Sequence, residues 1–405
     1  DRLHRLRKRQ SVRAYVEVGV HDLARELVAE LGLRVEGVGP NLVWPWLVQH
    51  RPSDLELLQH VAEASGQYLA LREEDLYILT LEGVGVPIPL TLGRSLLEAQ
   101  AEVNGEFACR SVTASGWTPL LVETYEGRAG DARVGRRVVA EASPAHLGGS
   151  ELRELLNVPA HDIRHAEALA QAELDRRAAH EVTLWGVAEG DPRLRPGASI
   201  VVEGIADAFA GRYVVTAATH TIDLRRGFLS EFSTAPPPPR ERETGVVVAP
   251  GVVTRVDDPR DLGRVRVSLP TYGGVESEWL HVLSPGAGAG KGLVALPDVD
   301  DRVVVLFFHA VPGQAIVLGG LYGMEGPPDS GVDGRGVRRY TLRTPGGQQI
   351  QLDDARGGLR VENSDGSRVE LTPQRVRVHA AADLELEAPG RSVVIRGRRI
   401  DFEEA

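Results

Sequence analysis

Few residues of this chain have the type and spacing to do chemistry, and each has a simpler reading. Gly286–Gly292 (Gly-Ala-Gly-Ala-Gly-Lys-Gly) carries the glycines and lysine of a loop whose backbone N–H groups could wrap a phosphate. Such a loop needs a glycine five residues before the one preceding the lysine, and Ser or Thr after the lysine. Pro285 and Gly292 stand at those places, so a flexible connection between strands accounts for the run. Asp298, Asp300 and Asp301 could pair carboxylates for acid–base work or hold a cation. They fall between two strand-like runs, where Asp is a common turn residue, and Asp257-Asp258-Pro259 reads as a hairpin turn. Cys109 lies in an apolar, strand-like run without a nearby histidine and reads as a buried thiol. His309 follows the run Val303–Phe308 and marks its end; His379 alternates with Val376 and Val378 and falls on the opposite face of their strand. No nucleophile or acid is paired with an orienting partner at a recognisable spacing, so neither a catalytic residue nor a cofactor is expected.

Composition narrows the field further. A chain of 405 residues has room for two to four domains. With 42% hydrophobic and 25% charged residues it is of ordinary composition, and no apolar run is long enough to span a bilayer. The net charge of −11 argues against a nucleic-acid partner, and one cysteine excludes an internal disulfide framework. Residue 1 is Asp and the single methionine is Met324, so the natural start is expected to lie upstream, a signal segment with it if there is one.

The elements that would position these residues are clearest at the C-terminal end, residues 338–405. Short alternating pairs follow one another: Tyr340/Leu342, Ile350/Leu352, Leu359/Val361, Val369/Leu371, Val376/Val378, Leu384/Leu386, Val394 alone and Ile400/Phe402. Turn residues break them at Pro345-Gly346-Gly347, Gly357-Gly358, Asp365-Gly366 and Pro389-Gly390. Alternation gives each strand one apolar face, and no helical period in the segment supplies a layer to cover it. Identical copies of the same segment are the simplest cover, so the tail reads as one chain of an intertwined β-helix and implies an oligomer. Eight strands at about 4.8 Å would make a needle roughly 40 Å long.

Residues 1–235 mix helices with strands. Helical spacing marks Asp22–Leu31, with Gly32 past its end, then Leu55–Ala64 started by Ser53-Asp54 and stopped by Gly66, then Asp162–Ala179. Strand-like runs are Tyr68–Leu71, Leu76–Leu81, Ala108–Ser115, His180–Val187, Gly211–Ala218 and a long Thr219–Phe232. This is an α+β domain rich in antiparallel sheet. Residues 236–244, Pro236–Pro239 followed by Arg240-Glu241-Arg242-Glu243, read as a stiff, charged connector. Residues 245–323 contain short strands only: Gly251–Val256, Arg264–Leu269, Trp279–Leu283, Gly292–Leu296, Arg302–Phe308 and Ala315–Leu321. That density suggests a small closed barrel of the OB type, followed by a linker at 324–337 and the needle at 338–405.

The order and wording of these motifs resemble the spike proteins of contractile injection machines, the valine-glycine repeat spike family with its phage relatives. The resemblance rests on Gly251-Val-Val-Thr-Arg-Val-Asp-Asp-Pro with Leu262-Gly-Arg-Val-Arg-Val, on Trp279, and on Ser284-Pro-Gly-Ala-Gly-Ala-Gly-Lys-Gly-Leu. Leu296-Pro-Asp-Val-Asp-Asp-Arg-Val-Val-Val and the closing Val317-Leu-Gly-Gly-Leu-Tyr continue it, and Val48-Gln-His-Arg-Pro-Ser-Asp-Leu-Glu-Leu-Leu resembles the tail hub. The front departs from the pattern: most of the hub's first barrel is missing, as expected of a chain without its natural start. The resemblance implies a structural homotrimer at the end of an inner tube, with the hub on the tube and baseplate proteins, the barrel in the middle and the needle towards the target. It would assemble in the cytoplasm, leave with a phage tail-like particle and puncture the target membrane only in passing. A short needle without an appended effector favours an extracellular injection particle or phage over type VI secretion.

Three copies of His379 on a threefold needle could hold an axial metal or anion. Ile400 and Phe402, with Arg399 and Asp401 on the alternate face, would dock a conical tip protein of the proline-alanine-alanine-arginine repeat type, since after Phe402 come only Glu403, Glu404 and Ala405. Two other readings compete. A peptidoglycan hydrolase, as some phage relatives carry between barrel and needle, would need more room than residues 324–337 offer. An OB-type oligonucleotide or oligosaccharide module would need aromatic platforms in a basic groove, which Tyr272, Trp279, Phe307 and Phe308 in an acidic chain do not supply.

Overall fold

Ser53 shows how locally the hub's helices are set. Its backbone N–H donates to Glu56 Oε2 at 2.8 Å, and its hydroxyl accepts from the Glu56 N–H, a reciprocal cap that starts the helix at Asp54. The computed structural model describes residues 2–37, 39–120, 122–239, 245–324 and 326–402. The charged half of the connector, Arg240–Glu243, and the terminal Glu403–Ala405 lie outside the described residues. The chain divides into two units, Asp1–Leu321 and Tyr322–Ala405.

The first unit opens with α1 (His4–Lys8), β1 (Arg13–Gly19), α2 (Val20–Val28), β2 (Arg34–Gly37), β3 (Val43–Gln49), α3 (Asp54–Ala64), β4 (Tyr68–Arg72) and β5 (Asp75–Leu79). It continues with β6 (Val84–Thr91), β7 (Leu96–Val103), β8 (Ser111–Thr118), β9 (Glu123–Ala129), β10 (Leu152–Val158), α4 (Ile163–Glu181) and β11 (Val182–Glu189). The hub closes with β12 (Ala198–Glu203), β13 (Gly211–Val214), β14 (Ala217–Asp223) and β15 (Gly227–Ser233). Helical spacing turns Leu23, Ala24, Leu27 and Val28 of α2 into one core, with Leu58 and Val61 of α3, Leu76 and Ile78 of β5, and Leu174 of α4. Gly32 ends the helical stretch at φ 65°, where a side chain would be strained. A second core gathers Leu96, Leu184, Ile200, Val202, Tyr213 and Phe232 between the sheets ordered β14-β15-β11-β7 and β13-β12-β6.

The expected long strand Thr219–Phe232 is instead the hairpin β14–β15. Asp223 Oδ1 accepts from the N–H groups of Arg225 and Arg226 at 2.8 and 2.6 Å, and Gly227 sits at φ 72°. An Asx turn competes successfully with continued extension there. Cys109 lies just before β8 rather than within a strand.

The barrel consists of β16 (Val247–Arg255), β17 (Arg266–Leu269), β18 (Val275–Glu276), β19 (Arg302–Phe307) and β20 (Ala315–Gly320), in the order β18-β17-β16-β19-β20. Single bridges Val265–Leu280 and Val282–Val317 draw the segment Trp279–Leu283 into its wall, and Val253, Val267, Leu280, Val303, Val305, Phe307 and Val317 fill it. The expected strand Gly292–Leu296 does not form: no strand pairs with it among the described residues, and Leu293, Val294 and Leu296 are exposed.

In the second unit, residues 324–337 are more than a linker. They hold the hairpin β21 (Val332–Asp333) and β22 (Gly336–Val337). Asp329 accepts from Arg339 Nη2 at 2.9 Å and Thr341 Oγ1 at 2.9 Å, which pins the next strand. Those hydrogen bonds, the Arg339 guanidinium first, hold the Asp329 carboxyl well below the usual carboxylate range. An antiparallel meander follows: β23 (Arg339–Arg343), β24 (Gln349–Asp353), β25 (Gly358–Glu362), β26 (Arg368–Leu371) and β27 (Val376–His379). The strands expected at Leu384/Leu386, Val394 and Ile400/Phe402 do not form in the single chain. With nothing beneath them to bury their apolar residues, isolated pairings there are not stable in water.

Candidate functional site

Two features stand out: the way hub and barrel are joined, and the face that the meander leaves uncovered.

The joint is built by residues far apart in sequence. The loop between β19 and β20 turns through left-handed His309 and Ala310, at φ 54° and 55°, and reaches the hub. Phe308 meets Trp117 of β8 edge-on at 4.9 Å between ring centroids. Gln314, fully buried, donates from Nε2 to the Ala160 carbonyl at 3.2 Å. Gly313 leaves room for the hub backbone, since a Cβ there would stand 2.9 Å from the Trp46 carbonyl oxygen. His281 Nε2 lies 3.0 Å from the Leu120 carbonyl, and His50 packs on Tyr272 at 4.8 Å. Phe307, Tyr272 and Phe308 thus serve packing in and around this joint.

The barrel motif has its own lock. Asp258 Oδ1 and Oδ2 accept from Arg264 Nη2 and Nε at 2.6 and 2.9 Å, and also from the N–H groups of Arg260 and Leu262. The two side chains are only 2% and 8% exposed. The guanidinium, ahead of the backbone donors, holds the Asp258 carboxyl far below the usual range. Asp257-Asp258-Pro259 is therefore a turn whose second carboxylate clamps the hairpin shut. The guanidinium groups of Arg255 and Arg266 lie 5.3 and 5.2 Å from the ring of Trp279, which is nearly buried.

In the meander the register builds two apolar columns on one face. Leu342, Ile350, Val361, Val369 and Val378 lie opposite one another in turn, and so do Tyr340, Leu352, Leu359, Leu371 and Val376. Most of these side chains are exposed, Tyr340 by 65% and Val376 by 69%. A groove of about 580 Å³ runs along the first column, bounded at one end by Leu384. The other face is a polar ladder that satisfies itself: Arg360 Nη2 donates to Glu362 Oε1 at 2.6 Å, and Gln349 to Glu362 at 3.3 Å. His379 belongs to this polar face, directly across from Arg368. At the end of the described chain Arg399 Nε donates to Asp401 Oδ1 at 2.8 Å, while Ile400 and Phe402 are 47% and 90% exposed.

The remaining candidates are placed as follows. Gly288 and Lys291 exchange backbone hydrogen bonds in an exposed turn, with no helix after it to point N–H groups at an anion. Asp301 Oδ2 accepts from the Asp298 N–H at 2.8 Å, and Asp300 holds a left-handed turn at φ 70°, so these groups shape the entry to β19. Cys109 is buried, and burial pushes its thiol up. Among the described residues no group of three His, Cys, Asp or Glu is placed to hold a metal, and no helix is long and apolar enough to cross a membrane. The joint residues Gln314, Ala160, His281 and Leu120 carried no sequence signal. The Asp258–Arg264 pair could have been read from an acid and a base flanking one tight turn.

Residues 249–322 match the model of the type VI secretion system/phage-baseplate injector OB domain, and residues 3–223 match that of the Alg8 N-terminal domain. Among solved structures the fold is similar to the Francisella PdpA–VgrG complex, half-lidded, at 7% identity and a TM-score of 0.51, over 93% of this chain and 70% of that one. Similar too is Escherichia coli c3393, described as a component of the type VI secretion system resembling the T4 tail proteins gp27 and gp5. That match has 12% identity and a TM-score of 0.47, over 79% of this chain and 76% of that one. A 43 kDa tail protein of prophage MuSo2 from Shewanella oneidensis aligns at 15% identity and a TM-score of 0.40. That alignment covers 54% of this chain and spans 65% of the tail protein's length. No curated protein sequence matches. The chain is mainly β, and the part that matches the injector OB domain, residues 249–322, is joined to an α+β domain. The chain belongs to the Alg8 N-terminal domain family, whose model spans more than half of it.

Proposed function

We propose that three copies of this chain form the spike and hub at the end of the inner tube of a phage tail-like particle, and that the C-terminal segments wrap into one needle. The observation that carries this reading is the meander's asymmetry: a polar ladder closed on itself behind two fully formed apolar columns, most of whose side chains are exposed. Covering the exposed half of each Leu, Ile or Val would contribute about 1 kcal/mol, repeated along both columns. Left open, such a surface is an aggregation hazard. In this arrangement the hub meets the tube and baseplate proteins, and the rigid joint at Gln314 transmits the thrust of contraction to the needle as it punctures the target envelope. The exposed Ile400 and Phe402 offer the last apolar step to a tip protein of the proline-alanine-alanine-arginine repeat type. The role is mechanical, with no residue assigned to catalysis.

Light scattering tests the reading. The purified chain should have three times the 43.8 kDa protomer mass, and Val361→Asp, in the middle of one column, should abolish the trimer while leaving hub and barrel folded. A stable, well-folded wild-type monomer overturns it. No specific observation favours the hydrolase reading. Oligonucleotide stacking on the barrel is disfavoured because Trp279 is nearly buried and already carries the guanidinium groups of Arg255 and Arg266 on its ring.

A further inference from the structure

The hub contains a cleft of about 740 Å³ that neither the joint nor the needle uses. Its volume falls in the range of pockets that hold small ligands and short peptide segments. One long side is β4, every residue of which lines the cleft. In its sheet, ordered β2-β5-β4, this strand is an edge. Among the described residues it pairs only with β5, so alternate N–H and C=O groups on its outer side are left for another strand. Apolar walls come from Leu79, Leu81 and Val214, and the proline connector closes part of the roof at Pro237 and Pro238.

Charge decides what fits. Arg72, the last residue of β4, and Arg195 both line the cleft. Neither is within ion-pair distance of a carboxylate among the described residues. Arg72 Nη2 donates to the Pro196 carbonyl at 2.6 Å, its guanidinium lies 4.4 Å from the Tyr77 ring, and its Nε is buried without a partner. Burial and then the nearby Arg195 pull Arg72 down from its ordinary value, the signature of a cation lacking its counter-charge. Among the described residues Glu63, on α3, is the one acid that lines the cleft.

We propose that this cleft binds an extended peptide, which adds as a strand to the outer edge of β4, sets its apolar side chains against Leu79, Leu81 and Val214, and places its C-terminal carboxylate between Arg72 and Arg195. Main-chain pairing gives such a complex its affinity, and the carboxylate fixes where the peptide ends. With the carboxylate at the Arg72 end, the peptide runs parallel to β4.

A library of random heptapeptides displayed with free C-termini, selected on the full chain, tests this. Peptides with an apolar final residue should be enriched, and a synthetic copy should protect the Tyr68–Arg72 amides from hydrogen exchange. Amidation of its C-terminus should weaken binding by about tenfold or more. Arg195→Gln, at an exposed position that leaves the fold intact, should weaken it by about as much, and so should Arg72→Gln. The proposal fails if selection on the Arg72→Gln/Arg195→Gln protein enriches the same peptides, or if the amidated peptide binds equally well. It fails equally if protection falls elsewhere, if no peptide is enriched, or if octanoate alone binds the cleft as tightly as the peptide does.

Discussion

Gln314 of the barrel and Ala160 of the hub, 154 positions apart, are joined by a hydrogen bond from a side chain with no exposed surface. Hub and barrel fall in one compact unit, and this contact is among those that join them. Gln314→Ala removes the donor, leaves a buried carbonyl unpaired and should cost about 2 kcal/mol. Scanning calorimetry should show a lower midpoint and a barrel transition that separates from that of the hub. A single transition at the wild-type temperature would show that the joint is held elsewhere.

Asp258 and Arg264 lock the first barrel hairpin out of water. Asp258→Ala leaves the guanidinium nearly buried and alone, and should destabilise the barrel by about 3 kcal/mol. Because the folded carboxyl titrates far below its unfolded value of about 3.9, its contribution is fully present above that pH and disappears as pH falls through the folded value. The melting difference between wild type and Asp258→Asn should therefore hold from pH 8 to about 5 and shrink in stronger acid.

Asp175 on α4 titrates in the opposite direction. Its Oδ1 accepts from the Arg133 N–H at 2.6 Å and from Gln171 at 2.8 Å, but burial raises its carboxyl from 3.8 to about 6. The folded state then holds a proton that the unfolded state has lost, so stability from this group falls as pH rises from about 4 to about 6 and stays low above. Asp175→Asn keeps the Oδ1 acceptor without the charge. It should stabilise the hub by about 2 kcal/mol at pH 7.5 and by nothing at pH 4, as read from urea midpoints. Equal effects at both pH values would mean that the carboxyl is not buried as described.

Deletion of residues 391–405 removes Ile400 and Phe402 and the ion pair between Arg399 and Asp401. The truncated chain should remain a soluble trimer, because all five strands of the meander are kept. It should no longer co-purify with a tip protein expressed from the same operon. Retention of that protein by the truncated trimer would place its docking surface elsewhere.

Local chemistry and periodicity alone determined much of this molecule. Ser53 with Glu56, Asp162 and Gly32 set helix ends through contacts within a few residues, and alternation from Tyr340 to Val378 set the meander, because a turn every few residues leaves one register. The barrel was legible because its turns carry the Asp-Asp-Pro and Leu-Gly-Arg wording at short range. Only the tertiary structure decided that Thr219–Phe232 folds back at Asp223, that Gly292–Leu296 stays outside the sheet, and that Arg368 is the residue across from His379. It also decided the joint: nothing near Gln314 in sequence signals that its partner is Ala160, and nothing near Arg72 signals Arg195. Such pairings follow from how finished elements pack, and packing depends on the whole set of buried faces at once rather than on any window of the chain.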